Sequence, residues 1–337
     1  MIAKICKYGV IVIALIAVLL VLDYAKVLYL SPLQISTQKM NWSVTAGESL
    51  RSAVERLEQA DVLADSYLIA PKRYAILHAK LHGIERRIQI GDYKIKRGDT
   101  LAKLFDKLNK GDIIYQTFTI IEGSVFATVL HQLKQHSQIK WTTHEPETMR
   151  QQLGVEQPTL EGWLFPDTYH FRRGASEIEI LQQAYQKMQQ VLDESWDTRD
   201  ADTPLQSPYE ALILASIIEK ETNREAEKPL IAAVFINRLK KNMLLQADPT
   251  VIYGLGKRFK GDLTRKHLRQ DTPYNTYTRK GLPPSPIALP SASSIHAATH
   301  PSDTSALYFV SKGNGSHHFS NTHEEHRKLV AKYQLKK

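Results

Sequence analysis

The feature that most limits what this chain can fold into is an unbroken apolar run from Tyr8 to Leu22, preceded by Lys4 and Lys7. The run is slightly short of the ~20 residues that cross a bilayer as a helix. Continuing through Asp23, Tyr24, Ala25 and Lys26 to Leu30 supplies the length and sets tyrosines at headgroup level. A cleaved signal peptide would need a small-x-small site just past the run, and Asp23-Tyr24-Ala25 is a poor one. An uncleaved anchor over residues 8–30 is therefore expected, with a cytoplasmic tail of residues 1–7 held there by its lysines and the rest of the chain outside. The 44 Lys and Arg against 35 Asp and Glu leave a charge of +9, which favours nucleic acid, acidic lipid or a carboxylate-bearing polymer. Export past a membrane removes nucleic acid from that set. A single cysteine, Cys6, excludes an internal disulfide and a Cys-built zinc cage.

After a polar link over Ser31 to Lys39 the chain repeats itself weakly. One copy runs from Trp42 through Gly47-Glu48-Ser49-Leu50, the other from Tyr93 through Gly98-Asp99-Thr100-Leu101. Each reads as a short alternating strand, a glycine turn, an acid, a capping hydroxyl and then a helix. Leu50, Ala53, Val54 and Leu57 line one helix; Leu101, Leu104, Phe105 and Leu108 line the other. Gly-Asp-Thr-Leu resembles the hallmark of a LysM module, a small glycan-binding unit, and also describes any capped strand-to-helix turn. Phe118 to Gly123 offers a third such start, with a helix from Val125 to Leu133. Between the copies, Ala60 to Ile90 carries helical patterning broken at Pro71.

From Thr117 onward the texture changes to long amphipathic helices over Ala175–Trp196, Ser207–Thr222 and Leu230–Lys241. Pro273, Pro283, Pro284, Pro286 and Pro290 then interrupt the chain, and an irregular stretch of that length inside a domain is more often functional than idle. A strand over Ala306–Val310 and a helix from Thr322 follow. The expected class is α+β: one transmembrane helix, a small LysM-like subdomain over residues 36–116, and a larger mixed domain over residues 117–337. No phosphate loop, dinucleotide fingerprint or nucleophile elbow appears, and no cofactor is expected.

Ser207-Pro208-Tyr209-Glu210 is a strong helix start, with a cap, a first-turn proline and a capping-box glutamate. On the helix that follows, Ala211, Leu214, Ala215, Ile218 and Thr222 share the face expected to be buried. Glu219 lies at one edge of it, over Leu212 and Ala215; Glu221 lies at the other, and Lys220 points to water. Two residues apart, the glutamates cannot form a dyad. A carboxylate leaning on leucine and alanine loses hydration, and a rise from ~4.3 to ~6, about 2.3 kcal/mol, would poise it as a general acid. A solvated Glu219, or one paired with Arg238, is the plainer possibility.

Glu161, Asn237, Gln246, Tyr274 and Asn275 stand in aromatic or apolar company and suit a carbohydrate groove, where rings stack on sugars and amides bond their substituents. Glu221 is the candidate supporting acid. His323 and His326 stand three apart, the wrong spacing for a zincin pair, and with His317 and His318 are read as groove wall or helix start; no metal is expected.

Six stretches fall in one family's order: Glu161-Gly162-x-Leu164-Phe165-Pro166-Asp167-Thr168-Tyr169, Leu214 to Thr222 with Glu219-Lys220-Glu221-Thr222, Val234-Phe235-x-Asn237-Arg238-Leu239, Gln246-x-Asp248-Pro249-Thr250-Val251-x-Tyr253, Tyr274-Asn275-Thr276-Tyr277, and Gly281-Leu282-Pro283-Pro284-x-Pro286-Ile287. Together they resemble the endolytic murein transglycosylases, the YceG-like family, along nearly the whole chain. The resemblance implies one inner-membrane helix with a cytoplasmic N-terminus, a LysM-like periplasmic subdomain, and a periplasmic catalytic domain whose essential residue is Glu219. It implies peptidoglycan glycan strands as substrate, lytic cleavage between N-acetylmuramic acid and N-acetylglucosamine to 1,6-anhydro ends, termination of nascent strands, and peptidoglycan synthases or division proteins as partners. Ser291 replaces a glycine of the family pattern, a departure expected to touch turn geometry and not chemistry. The competing expectations are a water-adding muramidase using Glu219 with Asp167, Glu161 or Asp248, and a non-catalytic wall-binding division scaffold.

Overall fold

The structure is a computed structural model that describes residues 2–45, 47–66, 68–86, 88–143 and 145–334. Ala46 of the first strand–turn copy, Met1 of the tail, the side chains of Lys4 and Cys6, and the last three residues of the second domain lie outside the described residues. The chain divides into two compact units, Met1–Gln116 with Phe171–Arg173, and Thr117–His170 with Gly174–Lys337.

In the first unit, α1 (Ile2–Ala25) continues into a π-helical turn, Lys26–Leu30. Lys7–Leu30, with mean hydropathy 2.6, is long and apolar enough to cross a membrane. Tyr8 to Leu22 are largely uncovered, whereas Val27 and Leu28 are buried in the unit's core. Asp23 is buried as well: its Oδ2 accepts from Ser66 Oγ (2.7 Å), Leu68 N (3.1 Å) and Tyr74 OH (3.1 Å). The acid that interrupts the apolar run thus belongs to the folded unit, where hydrogen bonds offset its burial.

The two repeat copies form one substructure. β1 (Lys39–Val44) pairs antiparallel with β2 (Gly91–Lys96), setting Trp42 opposite Tyr93, and β2 pairs with the start of β3 (Ile113–Thr119). Between β1 and β2 run α2 (Leu50–Gln59) and α3 (Pro71–Leu81); α4 (Leu101–Lys110) follows β2. All eight apolar helix positions expected to be buried are buried. Ser49 and Thr100 cap their helices. The two acids act alike: Glu48 accepts from Thr45 N and Asp99 from Lys96 N, each closing the turn three residues back. Pro71 does not break a helix but opens one, as suits a residue without an N–H in the first turn.

The second unit carries α5 (Phe126–Gln135), α6 (Pro146–Leu153), β4 (Thr168–Arg172, its last two residues counted with the first unit), α7 (Glu177–Asp197), α8 (Pro208–Glu221), α9 (Lys228–Lys240), α10 (Asp248–Leu255), α11 (Arg265–Arg269) and α12 (Ala292–Thr299). It ends in an antiparallel hairpin, β5 (Tyr308–Ser311) with β6 (His317–Ser320), and α13 (His323–Tyr333). α8 packs against α7, α9, α10 and α12. Every residue from Ala211 to Glu219 is buried, so α8 is covered all round and the one-face expectation is wrong. Its five large aliphatic side chains, Leu212, Ile213, Leu214, Ile217 and Ile218, contribute on the order of 10 kcal/mol gross by burial, a rigid mount for what the helix end carries. Ser207 caps α8, but Glu210 bonds Gln206 N instead of closing a capping box.

The last part of the proline-rich stretch is core. Ser285 through Ser291 are buried in succession and run as a strap along α8. Ile287 N donates to Ser216 Oγ, a hydroxyl in the middle of the helix; Leu289 exchanges backbone bonds with Gly123 and Ser124; Ser291 reaches Glu219. Gly162 has φ +84°, and a Cβ there would stand 2.5 Å from Pro286, so glycine is what lets the strap lie flat.

Candidate active site

Three elements converge on Glu219 at the C-terminal end of α8: the first residue of α9, the start of α12, and the loop at Gly123. Glu219 is 8 % exposed. Its Oε2 accepts from Ser291 N (3.0 Å), Ser291 Oγ (2.5 Å) and Ser294 Oγ (2.6 Å), and Lys228 Nζ stands 3.4 Å away. Among the described residues, Oε1 accepts no hydrogen bond. Ser291 is the N-cap of α12, with φ −71°, so the positive helix terminus also faces the carboxylate.

These surroundings correct the expected direction of the Glu219 pKa. Burial by itself raises it, but the bonds from Ser291 and Ser294 and the charge of Lys228 outweigh burial, and the carboxyl lies below its ordinary value. They also correct the reading of Ser291. Its backbone needs no glycine, and its hydroxyl acts on the carboxylate itself.

Glu161 is buried, and both of its carboxyl oxygens are bonded. Oε1 accepts from Phe126 N (2.9 Å), capping α5 in place of Val125, which has no side-chain cap, and Oε2 accepts from Tyr253 OH (3.1 Å). Burial outweighs these bonds and lifts its pKa to about 7. Tyr253 meets Tyr274 edge to face at 4.9 Å, and Tyr274 OH bonds Ser285 Oγ at the head of the strap. Glu219, Glu161 and Tyr274 are thus linked through the strap and residues 123–126.

The other expected residues lie elsewhere. Glu221 and Gln246 line a separate cavity of about 440 Å³ with Arg238, Asp248, Tyr277 and His326. There burial, and then Asp248, raise Glu221 to about 8 against the pull of Arg238. The amide nitrogens of Asn237 and Asn275 are taken by backbone carbonyls, and Asn237 lines another cavity with Asp200, Lys240 and Thr304. Asn237 donates to Thr304 O and Ala306 O; Asn275, fully buried, donates to the carbonyls of His267, Leu268 and Gln270. Their amides pin loops.

Of the alternative second acids, Asp167 pairs with Lys187 and Asp248 accepts from Tyr277 OH. His317 bonds Glu227, His326 stacks on Tyr308, and among the described residues no three His, Cys, Asp or Glu groups converge as a metal cage needs. The sequence reading missed Lys228, Ser294 and Tyr253. Lys228 had a signal: a cation at the first position of an apolar helix, where the macrodipole disfavours it.

A sequence profile of the YceG-like family matches residues 42–332. The endolytic murein transglycosylase of Bacillus subtilis strain 168 is 33 % identical over 317 residues, 88 % of this chain and 86 % of the relative. That of Streptococcus pneumoniae strain D39 is 27 % identical over 73 % of this chain, which spans 51 % of that relative's length. The crystal structure of a yceG-like protein from Listeria monocytogenes superposes with a TM-score of 0.52 at 27 % identity, over 87 % of this chain and 99 % of that one.

Proposed function

Since the chain belongs to the YceG-like family, we propose that it is a lytic transglycosylase that cuts peptidoglycan glycan strands from within, with Glu219 as its one acid/base. The observation that carries this is the one-sided hold on Glu219: a buried carboxylate gripped through Oε2, with Oε1 left for a substrate.

The scissile bond joins N-acetylmuramic acid to N-acetylglucosamine. Oε1–H donates its proton to the glycosidic oxygen as the C1–O bond breaks, and the muramyl acetamido group stabilises the cation that develops at C1. The carboxylate then takes the proton of the C6 hydroxyl while that oxygen attacks C1 and closes the 1,6-anhydro ring. No water is added, so a second carboxylate is not needed, in contrast to hydrolysing glycosidases. The resting carboxyl is held ionised, so it takes up a proton from solvent as the glycan binds. A sugar chain that strips the remaining water from Glu219 raises its pKa.

In this reading residues 8–30 hold the enzyme in the inner membrane, the N-terminus stays cytoplasmic, residues 36–116 form a LysM-like unit and residues 117–337 the periplasmic catalytic domain. Purified peptidoglycan digested by the wild type and by Glu219→Gln, with fragments weighed by mass spectrometry, is the test. Anhydro ends, one water lighter than reducing ends, are expected from the wild type and not from the variant. Reducing ends would indicate a muramidase; equal cleavage by both proteins would remove Glu219 from the chemistry, and no cleavage by the wild type would overturn the transglycosylase reading.

A further inference from the structure

Lys228 is 1 % exposed, an uncommon place for a lysine, and its neighbours can be counted. An ammonium has three hydrogens, and three short contacts use them: Glu225 Oε1 (2.8 Å), Ser293 Oγ (2.8 Å) and Ser291 Oγ (2.9 Å). Glu219 Oε2, at 3.4 Å, is a charge contact and not a fourth bond. Because an ammonium only donates, Ser291 Oγ accepts from it, and the single hydrogen of that hydroxyl goes to the nearer and charged acceptor, Glu219 Oε2 at 2.5 Å, over Ser293 Oγ at 3.0 Å. The direction of the chain is therefore fixed: ammonium to hydroxyl to carboxylate.

We infer that Lys228 and Ser291 are positioning residues that pin the Glu219 carboxylate through Oε2 alone, set the plane of the group, and make Oε1 the atom that carries and returns the proton. A lysine serving only to neutralise Glu219 would bond it directly. This one is set back behind a hydroxyl, adding charge without occupying the second oxygen. Both assignments rest on Glu219 being the acid/base proposed above, and they add which oxygen works and what holds the other.

The test compares Ser291→Ala, Lys228→Met and Lys228→Arg with the wild type in the full-length detergent-solubilised protein, by pH profiles of fragment release from purified peptidoglycan. Ser291→Ala removes the hydroxyl and keeps the backbone N–H. A general acid is active while protonated, so kcat/KM falls as pH rises through the Glu219 pKa. Losing a donor raises that pKa. In Ser291→Ala and Lys228→Met the alkaline fall should move up by about one pH unit, while the low-pH plateau drops about ten-fold through lost orientation. Lys228→Arg, which keeps the charge, should return the profile toward wild type. Profiles that superimpose on wild type after correction for the folded fraction would overturn the inference. If Lys228→Met does not fold, Ser291→Ala decides alone. A Glu219→Gln protein that still cuts sinks the parent reading; an inactive one beside unmoved profiles sinks only this inference.

Discussion

Each unit of the molecule contains a buried carboxylate pulled below its ordinary pKa, and the two differ in how their donors are shared out. Asp99, in the first unit, takes Lys103 on Oδ1 at 2.8 Å and both Lys107 (2.7 Å) and Lys96 N (2.9 Å) on Oδ2. Burial raises it, but the lysines and the backbone amide win and bring it to about 2. Glu219, in the second unit, takes a backbone amide and two serine hydroxyls, with a lysine charge behind them, all on one oxygen. A carboxylate with both oxygens committed can only hold its turn together; one with an oxygen to spare can pass a proton. The direction of a pKa shift therefore does not separate a structural acid from a chemical one. The placement of the donors does.

The sharpest way to break this contrast is to neutralise each acid in turn. Glu219→Gln should lower glycan cleavage by roughly 10²–10⁴-fold, the usual worth of a general acid/base. Its melting temperature should stay close to wild type and glycan binding should persist, since the amide NH₂ at the Oε1 position mimics the protonated acid. Sedimentation with insoluble peptidoglycan checks the binding, and a variant that cuts normally removes the distinction. Next in size, Gly162→Ala forces a side chain into Pro286 at a left-handed backbone position. A cost of about 1–3 kcal/mol in chemical denaturation is expected, with a loss of cleavage per folded molecule because the strap carries Ser291.

Asp99→Asn should do the reverse of Glu219→Gln. Stability falls by about 1–2 kcal/mol, discounted because Lys103 is exposed, while cleavage per folded molecule is unchanged. Because the folded pKa is depressed, that stabilisation is present above the ordinary carboxylate value near pH 4 and is lost as pH falls toward 2. Glu161 supplies a stability effect of the opposite pH sign. With its pKa raised to about 7, the folded state binds the proton more tightly than the unfolded one, so wild-type stability drifts down as pH rises from about 4.5 to 7. Glu161→Gln should flatten that drift in thermal melts; an unchanged slope would mean that Glu161 is not held protonated.

What the sequence made legible was local. The capped strand–helix repeats and the buried faces of α2 and α4 follow from periodicity and from hydroxyls at the right offset. The environment of Glu219 was not legible, because Leu212 and Ala215 on its own helix suggested a raised pKa while Ser291 and Ser294 lie 72 and 75 residues away. The same limit hid the duties of Asn237 and Asn275: a polar residue among apolar ones looks equally apt for a ligand and for a distant backbone carbonyl. α12 was missed because its short run of serines and alanines follows directly on prolines. Pro71 was misjudged because proline punctuates a helix pattern in the same way whether it ends one or begins one.

Asp23, Val27 and Leu28 join the apolar helix to the first unit without a hinge. A disordered tether would let a domain roam a radius growing with the square root of its length; here the helix end is packed into the unit and leaves no slack. For the anchor proposed above, the height of the first unit over the bilayer follows from the helix itself, so lengthening the apolar segment should raise or tilt the unit rather than loosen it. A shortened chain beginning at Ser31 would lose three interior side chains, Asp23, Val27 and Leu28, and would be expected to melt earlier than the whole protein.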